Sequence, residues 1–197
     1  MNHSLAGKLL IASPAIEDPR FRQAVILVCT HNEDHAMGIV LNKVTEGVDL
    51  PELLDQLGVD GDDAPDDAHI LMGGPVGRDR GFVLHSEDYD SAGATLPICE
   101  GVCLTATRDV LHAMTSDSPP ERYVLALGYS GWAAGQLEQE LAENVWLVGV
   151  PDVAPGEVIV QFSLFGGDND TLPTGTYVDD DAATPRIMFA AAYNGPE

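Results

Sequence analysis

The chain alternates short apolar runs with polar or glycine-rich segments, a pattern that predicts a series of short strands. The first run, residues 7–13, ends at Ser13-Pro14, where the residue before proline favours extended geometry. Residues 22–30 form a continuous run rich in β-branched side chains, typical of a strand that is buried on both faces. A polar segment separates this run from residues 37–43, so residues 23–43 are expected to form a hairpin.

Helical spacing of apolar residues first occurs between Val48 and Gly58. Leu50, Leu53, Leu54 and Leu57 form one stripe, Asp49 is a good N-cap, and Gly58 ends the predicted helix. A second short helix is expected after Thr107, over residues 108–114. Further strands are predicted at residues 69–76, 80–86, 99–106 and 122–129.

Residues 127–148 predict a strand, a turn with glycines at 128, 131 and 135, and a helix rich in Gln and Glu. A phosphate-binding loop would end in Lys followed by Ser or Thr, and this segment has neither. Ser130 resembles a nucleophile at a sharp elbow, but Trp132 stands where that motif needs glycine. We therefore interpret the segment as a structural corner, with Trp132, Leu137 and Leu141 buried.

Length and composition favour one globular domain, because the chain has 197 residues of which 45% are hydrophobic. A formal net charge of −23 disfavours direct contact with duplex DNA. The 3 cysteines, an odd number, suit reduced thiols in the cytoplasm better than disulfides. No signal peptide or membrane-spanning run is expected, since the apolar stretch near the N-terminus is short and broken by Pro14.

Metal and cofactor sites are not predicted. His31 and His35 flank Glu33 in a segment between strands, whereas zinc-protease chemistry needs a helix with Glu beside the first His. Cys99 and Cys103 have no second cysteine pair downstream. The aspartate-rich stretch at residues 59–69 lacks the alternating ligands and closing Glu of a calcium loop, and is expected to be a solvated loop.

Several motifs together resemble the AlgH/YqgE family of bacterial proteins: "LAGKLLIASPAIEDPRF", "GIVLNK", "GGPV" and "LGYSGWAAGQLEQELAENVWL". The resemblance implies a single α+β domain over residues 1–170, with a mixed, strongly curved and bifurcated sheet that forms a pseudo-barrel and helices packed outside. Residues 171–197 depart from the family's usual ending, so they are expected to form either part of the same domain or a tail, and no function is carried onto them. Alanine is common in the family at the position of Ser130, which weakens a catalytic role for that serine. No biochemical activity is implied, although one branch carries a transcriptional-regulator label.

The motifs also gather positive charge. Of the 9 Lys and Arg residues, five lie beside the family motifs: Arg20, Arg22, Lys43, Arg78 and Arg80. Strand ends with glycine, proline and arginine are suited to a rim that binds an anion or a peptide. The alternative is that these arginines only neutralise nearby aspartates. The predicted binding rim consists of Ser13, Pro14, Asp18, Arg20, Asn42, Lys43, Gly73, Gly74, Pro75, Arg78, Gln136 and Glu140.

Three functions remain open at this point. We favour a cytoplasmic, non-enzymatic regulatory protein that binds a small anionic ligand or a protein partner, without cofactor, metal or membrane. The second is a hydrolase-type enzyme that uses Ser13, Asp18, Asn42 and Gln136 or Glu140 at the rim. The third is a transcriptional regulator, acting directly or indirectly, and its direct form requires a contiguous basic face.

Overall fold

A computed structural model describes residues 4–61, 64 and 68–151, together with the backbone of two strands further along the chain. The strands are β1 (Leu9–Ala12), β2 (Val25–His31), β3 (His35–Val40), β4 (Leu71–Met72), β5 (Val76–His85), β6 (Thr95–Cys99), β7 (Val102–Thr105), β8 (Tyr123–Ala133), β9 (Trp146–Gly149), β10 (Ile159–Phe162) and β11 (Met188–Ala191). The helices are α1 (Leu50–Gln56), α2 (Arg108–Met114) and α3 (Gln136–Ala142). A short 3-10 turn covers Pro19–Phe21.

The main sheet has the strand order β6-β7-β5-β8-β3-β2-β1-β9. Its pairings are antiparallel except for β4, which lies parallel to β8 and makes the sheet mixed. One edge of β8 pairs with β4 at Ala126 and Leu127 and then with β3 from Ser130 to Ala133. The sheet therefore divides along β8, as the predicted bifurcation requires. Strands β10 and β11 form a separate parallel pair.

Alternate residues of the strands face two different environments, and both are apolar. On one face, Leu9, Leu27 and Leu84 belong to a core that draws on β1 to β7 and on β8. On the other face, Val83 and Leu125 pack under α1 and α2. Leu10 and Ile26 pack beneath α3. The β2 run is thus continuously apolar because both of its faces are covered.

The α+β single-domain architecture predicted by the resemblance is confirmed. The sheet curls into a half-barrel whose inner face holds the first core, and the three helices cover its outer face. The predicted hairpin is formed by β2 and β3. Asp49 caps α1 by accepting the Glu52 N–H, and Gly58 follows the helix with φ of 73°.

Four local predictions need correction. Strand β8 continues through Trp132 to Ala133, so the chain turns only at Gly135, whose φ is 73°. The predicted strand at residues 99–106 contains the turn of the β6–β7 hairpin at Gly101, because φ there is 76°. Leu141 is only partly buried, whereas Trp132 and Leu137 are buried as predicted. Leu57, at the end of the α1 stripe, is 37% exposed.

The Gly73-Gly74-Pro75 corner lies directly against the backbone of β8. A Cβ atom at Gly74 would lie 2.1 Å from the carbonyl carbon of Tyr129, and one at Gly73 would lie 2.3 Å from the Gly128 carbonyl oxygen. Gly128 makes the matching contact from β8: its φ is 73°, and a Cβ atom there would lie 2.5 Å from the Gly74 carbonyl oxygen. Side chains are excluded at these three positions because two backbones pack against each other.

The predicted boundary between residues 1–170 and 171–197 stays a prediction. Apart from the backbone of β11, residues 171–197 lie outside the described residues.

Candidate functional site

Two adjoining cavities border the corner before β5. The smaller has a volume of about 190 Å³ and is lined by Arg20, Phe21, Val40, Lys43, Met72, Gly74, Pro75 and Arg78. The larger has a volume of about 650 Å³, and its lining includes Ile16, Glu17, Asp18, Val76, Trp132, Gln136, Glu140, Glu143 and Trp146. Arg20, Phe21 and Pro75 line both. The two cavities therefore form parts of one recess.

Three cations converge on the smaller cavity from different parts of the chain. Lys43 follows β3, and its Nζ donates to the Arg20 carbonyl oxygen at 2.7 Å. Arg78 lies in an irregular stretch of β5 between Val76, opposite Tyr129, and Gly81, opposite Leu127. Such a bulge redirects side chains away from the regular alternation of a strand. Arg78 forms no ion pair with any residue that the structure describes.

Asp18 holds Arg20 in place between the cavities. The Asp18 carboxylate accepts from the Arg20 backbone N–H at 2.9 Å and from Arg20 Nη2 at 2.6 Å. The side-chain and backbone hydrogen bonds from Arg20 lower the pKa of Asp18. The same side-chain hydrogen bond raises the pKa of Arg20, so the pair holds both groups in their charged forms.

Glu140 forms a polar centre in the wall of the larger cavity. Its Oε2 atom accepts from Trp132 Nε1 at 2.9 Å and from Trp146 Nε1 at 2.6 Å. Its Oε1 atom accepts from Gln136 Nε2 at 2.8 Å. The two indole rings meet edge to face, with ring centres 6.0 Å apart. Glu140 is thus oriented by neutral donors, and no cation of the described residues forms an ion pair with it.

The predicted rim residues fall into two groups. Most of them line the recess: Asp18, Arg20, Lys43, Gly74, Pro75, Arg78, Gln136 and Glu140. Ser13 instead donates its hydroxyl to the Asn144 carbonyl at 2.6 Å, and Asn42 bonds the Val25 N–H and the Gln23 carbonyl. Gly73 is packed on β8, and Pro14 is exposed outside the lining of either cavity. These four residues stabilise or border the backbone around the recess, and binding by the rim stays a prediction.

The tryptophan pair and Phe21 were not predicted as parts of a site. Trp132 was expected only as a core residue, and Trp146 and Phe21 were not assigned a role. Phe21 packs edge to face on Trp146 with ring centres 5.7 Å apart. The sequence did contain a signal for this polar centre. Gln136 and Glu140 are four residues apart, so they lie on the same face of α3 and present two hydrogen-bonding groups there.

The other candidate residues have structural partners. Ser130 is completely buried, and its hydroxyl faces the Gly73 carbonyl at 3.5 Å. His31 accepts the Leu5 N–H at Nδ1, so its Nε2 donates to Glu138 at 2.8 Å. The pKa of Glu138 is lowered by two hydrogen bonds: first by one to its backbone, and second by this bond from His31. Cys29 lies in the core, where burial raises its pKa to about 12.

Among the described residues, no group of three or more His, Cys, Asp or Glu side chains is arranged to hold a metal ion. Part of the aspartate-rich stretch lies outside the described residues, so its assignment as a solvated loop stays a prediction. No helix in the described part of the chain is long and apolar enough to cross a membrane.

The chain belongs to the AlgH-like family, whose model matches residues 9–155. It is 54% identical over 146 residues to a UPF0301 protein of Caulobacter vibrioides, covering 73% of this chain and 74% of that protein. A UPF0301 protein of Rhodopseudomonas palustris is 51% identical over 171 residues, covering 83% and 76% of the two chains. The family resemblance predicted from the motifs is therefore confirmed.

Two solved structures have a similar fold. The AlgH protein from Pseudomonas aeruginosa matches with a TM-score of 0.65 and 40% identity, over 78% of this chain and 82% of that one. A protein from Corynebacterium diphtheriae matches with a TM-score of 0.52 and 19% identity, over 75% and 76% of the two chains, and shows the fold alone. These relatives establish family and fold, while the function rests on the site itself.

Proposed function

We propose that this protein is a non-enzymatic regulatory protein of the cytoplasm that binds the anionic group of a small ligand or of a protein partner in the smaller cavity. The observation that carries the proposal is the convergence of Lys43 and Arg78, together with Arg20, which is paired with Asp18, on one cavity of about 190 Å³. In a chain with a formal charge of −23, such a concentration of cations is a local exception that favours an anion.

The cavity's size and chemistry suit one carboxylate or phosphate group. Its volume lies below the range of about 300–1,000 Å³ that is usual for whole drug-sized ligands. In the structure Arg20 bonds the Asp18 carboxylate, and Lys43 bonds the Arg20 carbonyl, so both cations have an intramolecular contact beside the cavity. Arg78 has no ion-pair partner among the described residues and is available for a charge-assisted bond.

The hydrolase alternative has weaker support. Ser13 and Asn42 bond backbone groups, and neither lines the two cavities of the recess. A serine nucleophile needs a base within hydrogen-bond reach, and the bond of the Ser13 hydroxyl goes to the Asn144 carbonyl. The proposed cytoplasmic location agrees with free thiols at Cys29, Cys99 and Cys103. For the transcriptional-regulator label, an indirect role fits this proposal better than contact with DNA.

A calorimetric titration of the full chain with inorganic phosphate and with hexanoate tests the proposal. Arg78→Ala should weaken anion binding about tenfold, equivalent to about 1.4 kcal/mol, because one charge-assisted hydrogen bond is lost. Arg80→Ala is the matched control: it removes the same charge from the same strand, but Arg80 lies over the Phe82 ring and lines neither cavity. Equal anion affinity in wild type and Arg78→Ala would contradict the proposal.

A further inference from the structure

The larger cavity has the opposite electrostatic character from the smaller one. Its lining carries the carboxylates of Glu17, Asp18, Glu140 and Glu143, with Arg20 as the cation among the residues that line it. Asp18 already neutralises Arg20 through the ion pair at 2.6 Å. An acidic chamber of about 650 Å³ therefore adjoins a basic one of about 190 Å³.

Among the carboxylates that line this chamber, Glu140 has its orientation set by three hydrogen bonds. Two indole N–H groups and the Gln136 amide fix its carboxylate, and these donors are neutral. A carboxylate offers about four acceptor positions, so one position remains for a further donor. An ammonium group suits that position, because it is a compact charge with three donors.

Apolar groups line the chamber beside these carboxylates. Ile16, Phe21, Pro75 and Val76 border the space, and Phe21 and Pro75 also border the basic cavity. An aliphatic chain can lie along such a surface while its charged ends remain in polar surroundings.

We propose that the recess binds a dipolar ligand, whose ammonium group bonds Glu140 in the larger cavity and whose anionic group bonds Arg78 in the smaller one, with an aliphatic chain between them. This inference rests on the proposed anion site and names the class of ligand that occupies it. The ω-amino carboxylates are the simplest members of this class.

Three probes of matched length separate the two halves of the proposal: 6-aminohexanoate, hexanoate and pentylamine. Trp132 and Trp146 are the 2 tryptophans of the chain, and both bond Glu140, so tryptophan fluorescence of the unmodified protein reports on this chamber. We expect 6-aminohexanoate to bind at least about tenfold more tightly than either single-charge probe, with a change in tryptophan emission, since two linked contacts reinforce each other.

Variants assign each end of the ligand. Glu140→Gln should reduce the affinity for 6-aminohexanoate to that for hexanoate, and Arg78→Ala should reduce it to that for pentylamine. Glu100→Gln, an exposed site in the β6–β7 turn, and Arg80→Ala should leave all three affinities unchanged. If Glu140→Gln fails to fold, the comparison of probes on the wild-type protein still decides the question.

The outcomes separate this inference from the anion site. Equal binding of 6-aminohexanoate and hexanoate to the wild type, both weakened by Arg78→Ala, would overturn the dipolar ligand and leave the anion site standing. Equal binding of 6-aminohexanoate and pentylamine, with no binding of hexanoate or phosphate, would overturn both proposals. A peptide ending in lysine, glycylglycyllysine, identifies the source: tighter binding than 6-aminohexanoate indicates a protein C-terminus, and weaker or equal binding indicates a free metabolite.

Discussion

The two outer regions of the sheet are covered by helices in different ways. Under α1 and α2, the contacts among the described residues are made by apolar residues such as Leu54, Val110 and Leu125, and neither cavity of the recess reaches this closed region. Under α3, the apolar contacts end at Trp132 and Trp146, whose N–H groups bond Glu140 beside the larger cavity. In the part of the chain that the structure describes, α3 is the helix on this side of the sheet, and the charged and aromatic groups of the candidate site lie beside it.

The largest expected effect is that of Trp132→Ala. Trp132 is 5% exposed and joins the α3 core to Glu140, so the substitution removes a large buried side chain and a hydrogen bond together. We expect the free energy of unfolding to fall by about 3–5 kcal/mol. Chemical denaturation measures this loss, and a change below about 1 kcal/mol would show that the indole does not hold α3 on the sheet.

Leu54→Ala makes the corresponding change in the closed region. Leu54 is 0% exposed in the core under α1, and its truncation should reduce the free energy of unfolding by about 2–5 kcal/mol. Phosphate affinity, measured well below the melting temperature, should be unchanged, because Leu54 lines neither cavity. A parallel loss of affinity would show that the two regions are not independent.

Gly74→Ala tests the contact that connects the two regions through β8. The added methyl would lie 2.1 Å from the Tyr129 carbonyl carbon, so two packed backbones must separate. Overpacking of this kind reduces stability by about 1–3 kcal/mol, and sometimes by more. Gly93→Ala is the control for steric contact, because a Cβ atom at Gly93 would meet no atom within 4 Å. Its φ of 87° adds backbone strain alone. A Gly74→Ala protein as stable as wild type would contradict the close approach of the backbones.

How much of this arrangement the sequence could predict depended on the range of the interactions. The α1 cap and the β2–β3 hairpin were predictable because Asp49, Gly58 and the apolar runs act locally. The continuation of β8 through Trp132 was not, because pairing with β3 stabilises a segment whose glycines favour a turn. The convergence of Lys43 and Arg78 could only be hypothesised from the positions of the motifs. In the structure it depends on the bulge in β5 that contains Arg78 and on the bond from Lys43 to the Arg20 carbonyl. The tryptophan contacts with Glu140 required the fold itself.

The smallest expected effect is the pH response of the Asp18–Arg20 pair. The hydrogen bonds from Arg20 lower the folded-state pKa of Asp18 below 3.8, so this pair stabilises the fold above that value. The stabilisation is lost as pH falls through the lowered pKa, when the carboxylate is protonated. Asp18→Asn should therefore flatten the stability profile slightly below pH 3.8 and leave it parallel to wild type near neutrality. A larger slope below that pH in Asp18→Asn would contradict this assignment.

The most direct measurement is an amide and side-chain NMR titration of the full chain with inorganic phosphate. Binding in the smaller cavity predicts that the largest shift changes occur at the Gly74 N–H, the Arg78 and Arg20 Nε–H groups and the Lys43 amide, because these residues line that cavity. Residues of the closed region, such as Leu54 and Val110, should not shift. Saturable changes confined to the recess, with an affinity about tenfold weaker in Arg78→Ala, would support the account, while no saturable change there, or changes centred elsewhere, would contradict it.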